Sequence, residues 1–310
     1  MENKEKNFIS AIVYIHNVEN TIESFLQGLM KVLHNNFEKY EVICVNDGSD
    51  DKSVEVIKKV IKNRFDGVVT VINMSYYQGI ELSMNAGTDL AIGDFVFEFD
   101  TVNVDYNFDL LMDVYRKCLE GYDIVSASPM ASSRFMSKMF YAIFNKSSKL
   151  MYKLQTESFR ILSRRAINRV HAMNKSIPYR KAVYANCGLN LTSIKYACNS
   201  ISKVNRKQLD SNKNTAINSI ILFTNLAYKM SLFLATLMIL FTVGIAVYTL
   251  LFYLKDNPVE GWTTTMLFLS MAFFGVFSIF AIIIKYLSLI LEMIFKRQKY
   301  LVESIEKITK

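Results

Sequence analysis

Cysteine and histidine are scarce in this chain of 310 residues, which has four of the first and three of the second. Cys44, Cys118, Cys187 and Cys198 are scattered and form no C-x-x-C pair, which argues against a disulfide framework or a zinc site. Structural thiols are the expectation. His16, His34 and His171 stand at no metal-ligand spacing, so surface or loop positions are expected for them. The first fifteen residues lack a charged-then-apolar pattern with a small-residue cleavage site, so export of the front part is not expected.

Charge is missing locally. Ser231 to Leu254 and Thr263 to Ile284 contain no Asp, Glu, Lys or Arg, and the chain as a whole is 51% hydrophobic. At about 1.5 Å per residue each run is long enough for a hydrocarbon core of roughly 30 Å, so two transmembrane helices are predicted. The link between them, Lys255 to Trp262, holds Pro258, Gly261 and an interfacial aromatic, which makes the pair a hairpin. It carries one Lys against Asp256 and Glu260, whereas Lys229, Lys296, Arg297 and Lys299 flank the pair. The positive-inside rule then puts both termini on the cytoplasmic side.

The net charge of +8 hides an uneven distribution. Residues 1–133 hold 11 Lys/Arg against 21 Asp/Glu, while 134–213 hold 17 against only Glu157 and Asp210. A basic block just before an anchor suits anionic headgroups or a phosphorylated substrate. No recognition helix or stacking motif accompanies it, so nucleic acid is not an expected partner.

Within the front part the apolar pattern alternates between strand and helix. "FISAIVYI" from Phe8 reads as a strand, and Ile22, Phe25, Leu26, Leu29, Met30 and Leu33 recur at helical spacing. "YEVICV" is a second strand, followed by a loop with Asp47 and Gly48, a cap at Ser49 or Asp50, and an amphipathic helix. "GVVTVINM", Gly79 to Ala91 and residues 95–99 continue the alternation. This order predicts an α/β domain with a mainly parallel sheet covered on both faces, whose ligands bind beyond the carboxyl ends of the strands. The polar clusters "HNVEN", "NDGSDD" and "DTVNVD" all fall at those ends.

Several segments together carry a resemblance: "NDGSDD", "GIELSMNAG", "GDFVFEFD", "GYDIV", "TESFRILSRRAINRV" and the terminal "EGWTTTMLFLSMAFFGVF" with its basic tail. In this order they are similar to the family 2 glycosyltransferases that load a sugar onto a polyprenyl phosphate, the bactoprenol glucosyltransferase and dolichyl-phosphate mannose synthase group. The resemblance implies a GT-A fold over residues 1–215, a juxtamembrane amphipathic segment at 216–230, a membrane hairpin within 231–295 and a basic tail at 296–310. It also implies inverting transfer from a nucleotide sugar, with Mg²⁺ or Mn²⁺ held by an Asp-x-Asp motif against the donor diphosphate.

Mapped onto this chain, the resemblance assigns Asp47 and Gly48 to the base and ribose loop. Tyr14, Asn17, Asn46, Gly79 and Asn85 join them as nucleotide-sugar contacts, and Gly87 matches the third helix. Asp100 matches the first Asp of the metal motif, but the second falls on Val102. Asp105 is a further acidic candidate. Glu98, which alternation puts on the face of Asp100, is either a shifted ligand or a buried carboxylate paired with a basic residue. Arg160 and Arg164, with Arg134 beside them, are the expected phosphate or lipid-phosphate contacts. Tyr14 replaces a usual Pro, Asn46 a usual Asp and Ile80 a usual basic residue. The Arg- and Gly-rich signature before the membrane is reduced to "CNSISKVNRK".

The expected activity is transfer of a sugar from a nucleotide sugar to polyprenyl phosphate or a lipid-linked glycan for envelope polysaccharide synthesis. The alternative is a non-catalytic scaffold or nucleotide-sugar-binding protein of the same pathway. Association into a homo-oligomer through the membrane helices is a further expectation.

Overall fold

The computed structural model describes residues 4–64, 68–130, 141–142, 144–146, 151–173, 179–198 and 300–308, with scattered positions between 233 and 290. Two compact units divide the chain. One comprises residues 1–216 together with 297–310, the other 217–296. Among the described residues no helix is long and apolar enough to cross a membrane. The runs 231–254 and 263–284 and the segment 216–230 lie outside the described residues apart from scattered helical positions.

Among its described residues the first unit is built on eight strands. Strands β1 (Ile9–Ile15), β2 (Tyr40–Asn46), β3 (Val68–Met74) and β4 (Phe95–Phe99) alternate with helices α1 (Ile22–Asn36), α2 (Ser53–Arg64) and α3 (Ile80–Leu90). Helix α4 (Leu110–Leu119), strand β5 (Ile124–Pro129), strand β6 (Phe159–Ser163), helix α5 (Arg164–Met173), helix α6 (Arg180–Ala185), strand β7 (Leu191–Tyr196) and strand β8 (Val302–Ile308) follow. The sheet order is β7-β5-β6-β4-β1-β2-β3-β8.

Every residue of β1 is buried, as expected of a strand covered on both faces. On one face Ala11, Val13, Cys44, Phe97 and Phe99 form a core with the apolar stripe of α1, including Phe25, Leu26 and Leu29, and with α4. Phe99 meets Phe25 edge-on at 5.3 Å between ring centroids. The other face carries α3, drawn close through Gly87, where an added Cβ would lie 2.4 Å from Ile12 Cγ2. Burial pushes the thiols of Cys44 and Cys118 up to about 12, so neither is poised for reaction at neutral pH.

The strand register places the functional ends. Parallel pairing sets Ile15 beside Asn46, Asn46 beside Asn73, and Val13 beside Phe99, so four carboxyl ends open on one edge. Strands β2 and β4 flank β1 on opposite sides, which makes the β1/β4 crevice a switch point of the kind where α/β sheets take ligands. Strand β6 runs antiparallel to β4, and residues 302–308, within the segment read from sequence as a basic tail, close the far side as β8 antiparallel to β3.

Gly87→Val tests the α3 contact. Its side chain would overlap the stiff γ-branches of Ile12 and Val45, and overpacking of this kind costs about 1–3 kcal/mol. The urea midpoint should fall accordingly with an unchanged slope.

Candidate active site

The loops after β1 and β2 are stitched together by side-chain to backbone bonds. Asn17, in the left-handed region at φ 52°, accepts from the Asp50 amide at 2.9 Å, and Asn46 accepts from the Ser49 amide at 3.2 Å. The Asn46 amide group also donates to Asn73 at 3.0 Å, tying β2 to β3. Gly48 takes φ +59° and passes so near the β3–α3 loop that an added Cβ would lie 2.8 Å from the Tyr77 nitrogen. No residue with a side chain fits that approach without displacing the loop.

Asp47 is the centre of this construction. The Tyr14 hydroxyl donates to its Oδ2 at 2.9 Å, and the amides of Gln78 and Gly79 donate to Oδ1 and Oδ2 at 2.7 and 2.9 Å. Asp47 is wholly buried, and its carboxylate fixes the loops. The Tyr14 hydroxyl is pushed far above its ordinary range by burial and by the Asp47 carboxylate. Beside them the rings of His16 and Tyr77 lie 4.6 Å apart, with Tyr77 44% exposed. Asn85 is buried on α3.

At the end of β4 a second construction holds Glu98 and Asp100. Arg160 stands opposite Glu98 in the antiparallel register and reaches Glu98 Oε2 at 2.8 Å, Asp100 Oδ2 at 2.6 Å and Glu157 at 3.0 Å. Arg180, at the start of α6, makes the matching set: Glu98 Oε2 at 2.8 Å, Asp100 Oδ1 at 2.6 Å and Glu81 at 3.0 Å. The other Glu98 oxygen accepts from Tyr184 at 2.8 Å and Thr88 at 3.2 Å. Glu98 is 0% exposed, Arg160 2% and Arg180 1%, while the Asp100 side chain retains 20%. Burial by itself would raise the Asp100 carboxyl, but Arg160, Arg180 and Lys181 hold it well below the usual carboxylate range.

Glu98 is thus the buried, paired carboxylate among the two readings of the sequence. Arg160 lies beside Asp100, but Arg164 does not join it. The four residue steps from Arg160 to Arg164 span about 13 Å of extended chain, so β6 carries Arg164 to the opposite end of the sheet. There its guanidinium donates to the carbonyls of Ala91 and Gly93 at distances of 2.5 to 3.0 Å. Arg164 is corrected from a phosphate contact to a structural clasp. Arg134 lies outside the described residues.

The metal assignment also changes. Strand alternation ends with β4 at Phe99, and Val102 turns into the α1/α4 core at 3% exposure instead of following Asp100. Asp105 is held elsewhere, accepting from Tyr196 at 2.6 Å. Both Asp100 oxygens and both Glu98 oxygens are engaged by side-chain donors, and no cluster of three candidate ligands exists among the described residues. Among the described residues these side chains form no ready-made cage for Mg²⁺ or Mn²⁺.

Arg180, Lys181, Tyr184, Glu81 and Glu157 escaped the sequence reading. The available signal was weak: an Arg-Lys pair set among apolar and aromatic neighbours in "PYRKAVY". Lys181 donates to Tyr141 at 3.5 Å and lines a small cleft with Tyr152, Lys153, Glu157, Arg160 and Tyr184.

Two variants test these assignments. Arg180→Met leaves buried carboxylates short of a partner and should lower stability by about 3–5 kcal/mol at pH 7 in urea denaturation. A depressed carboxyl contributes above its unfolded value and loses that contribution as pH falls toward the folded one. The deficit should therefore be full at neutral pH and shrink as pH drops through and below 3.8. Val102→Asp should destabilise, by about 1–3 kcal/mol or more, and should not create Mn²⁺ binding in calorimetry, because the new carboxylate enters an apolar core.

The chain resembles known sugar transferases. It is 25% identical over 281 residues to the bactoprenol glucosyl transferase of Shigella phage SfV, covering 86% of this chain and 88% of that one. It is 29% identical over 193 residues to an uncharacterized glycosyltransferase of Synechocystis, covering 60% of this chain and 59% of the relative, so the chain spans about six tenths of that protein's length. The mannosyltransferase PcManGT from Pyrobaculum calidifontis, solved in complex with GDP-Man and Mn²⁺, superposes with a TM-score of 0.52 at 14% identity, covering 70% of this chain and 63% of that one. That likeness is one of fold, GT-A-like with a mixed, mostly parallel sheet. Residues 10–186 match glycosyl transferase family 2, and with more than half its length inside that match the chain belongs to this family of glycosyltransferases.

Proposed function

We propose that this protein is a membrane-anchored inverting glycosyltransferase that moves a sugar from a nucleotide sugar, UDP-linked in the first instance, to polyprenyl phosphate or a lipid-linked glycan on the cytoplasmic side of a bacterial membrane. The observation that carries the reading is the pair of built constructions at the carboxyl ends of β1, β2 and β4. One is a loop system fixed by Asp47, the other a carboxylate held ionised by two guanidiniums. The similarity to the bactoprenol enzyme supports the anchor, because a match over 86% of the chain extends beyond residues 1–215 into the apolar runs.

In this reading Asn17, Gly48, Tyr77 and Gly79 present the donor surface, with Asp47 and Tyr14 holding them in place. An acceptor phosphate is ionised at neutral pH and needs orientation more than a general base. Its oxygen attacks the anomeric carbon, the bond to the donor diphosphate breaks, and the nucleoside diphosphate leaves with the electron pair. Arg160 and Arg180 are committed to carboxylates, so Lys181 and Lys153 in the adjoining cleft are the cations for the acceptor phosphate. Asp100, fixed in direction by the guanidiniums, supplies a preorganised negative charge beside the developing positive charge of the sugar.

Membranes containing the full chain should transfer radiolabelled sugar from at least one member of a UDP- and GDP-sugar panel into lipid extract. Lys181→Ala should reduce transfer by at least about tenfold while leaving UDP binding within twofold, a loss of the size expected for one cationic contact to phosphate. Folded protein that binds UDP yet transfers nothing from the whole panel would favour a nucleotide-sugar-binding scaffold instead.

A further inference from the structure

Gln78 is held from two directions. Its backbone amide donates to Asp47, at the centre of the donor loops. Its side chain, outside that network, makes a two-point contact with the backbone of Leu301: the amide nitrogen donates to the Leu301 carbonyl at 2.6 Å, and the Leu301 amide donates back to the side-chain oxygen at 2.9 Å. The same Leu301 carbonyl accepts from the Ser75 amide at 3.2 Å. A primary amide matches a backbone peptide in this way because each offers one donor and one acceptor side by side.

The rest of the segment is anchored independently. Tyr300 donates to Asp89 on α3 at 2.9 Å, Asn73 donates to Ser304 at 3.0 Å and Glu306 at 3.2 Å, and Lys58 pairs with Glu306 at 2.5 Å. The β3/β8 ladder is irregular between Asn73 and Met74, where β3 gives way to the loop. Past that irregularity Met74 still pairs with Val302 and the Ser75 amide with Leu301, and beyond Ser75 the Gln78 side chain holds loop to strand. Tyr76 and Tyr77, between the anchored Ser75 and Gln78, are 56% and 44% exposed and so depend on these anchors for their position.

We propose that Gln78 is a positioning residue for the donor site, and that it works by latching the 75–79 loop to the β8 segment. Leu301 and Asp47 hold the loop from opposite sides, so that the Tyr77 ring and the Gly79 amide stand ready before the nucleotide arrives. The inference rests on the donor-site reading given above and adds to it a residue outside the Asp47 network, together with a contribution from a segment more than 200 residues away. Preorganisation of this kind lowers the cost of binding and leaves the bond-breaking step alone.

The experiment uses the full chain in detergent or nanodiscs and compares wild type, Gln78→Ala, Gln78→Glu and Lys58→Ala. Amide hydrogen exchange across residues 75–79 reads the latch directly, and calorimetric titration with UDP reads its consequence. Gln78→Ala should speed exchange at 75–79 at least about tenfold, weaken UDP at least about fivefold and raise KM for the sugar donor, with kcat within twofold and an unchanged thermal midpoint. Gln78→Glu keeps the acceptor for Leu301 but loses the donor, and should fall between. Lys58→Ala, which loosens β8 away from the loop, should leave UDP affinity unchanged. Unchanged exchange in Gln78→Ala, or wild-type UDP affinity despite faster exchange, overturns the proposal. Wild-type protein that binds neither UDP nor GDP would instead remove the donor-site reading, while exchange at 75–79 still decides whether the latch exists.

Discussion

Burying two carboxylates on one strand is the constraint to which the rest of this domain answers. Glu98 and Asp100 lie two residues apart at the end of β4, on the face covered by α3, and neither tolerates a low-dielectric setting without cationic partners. Arg160 is delivered by an antiparallel return strand and Arg180 by the first residue of α6, and each spreads its guanidinium across both carboxylates. The pairing dictates which strand must sit beside β4 and where α6 must dock. Glu157 and Glu81 occupy the remaining Nε edges, which extends the network into the segment before β6 and into α3. A cluster built this way has one satisfied arrangement, and the direction of Asp100 follows from it.

Much of the fold was legible because the signals that specify it are local. The helical recurrence from Ile22 to Leu33 and the continuous apolar run of β1 each report their own environment, and the polar clusters after them mark strand ends wherever the strands are placed. The failures arose where the outcome depends on distant partners. Arg160 and Arg164 were paired by the resemblance, which says nothing of where each side chain points. The stretch between them is a strand with a helix beginning at its end, so the two side chains act at opposite ends of the sheet. Val102 has the spacing of a second ligand, but the strand had already ended. Arg180 was invisible because its partners are 80 or more residues away, and the β8 strand was masked by a charged sequence that reads as tail.

The two constructions of the site also differ in kind. Around Asp47 the donors are backbone amides and a tyrosine hydroxyl, so what is fixed is the path of the main chain in three loops. Around Asp100 the donors are guanidiniums, and what is fixed is charge. The first arrangement shapes a surface and the second sets a potential. Asp47 is buried below its loops, which gives rigid support to segments that must themselves remain accessible, whereas the Asp100 side chain keeps 20% exposure.

The position of β8 has a consequence for how the molecule is made. Asn73 and Glu306 bond across 233 residues of sequence, so β3 leaves the ribosome long before its outer neighbour exists. At about 5–20 residues per second, the interval is roughly 10–50 s. Throughout it the outer edge of β3 presents unpaired amides and carbonyls, while two long apolar runs are synthesised behind it. An exposed edge of that sort invites pairing with other nascent chains. That edge is closed only when β8, the last strand in the sequence, pairs with β3.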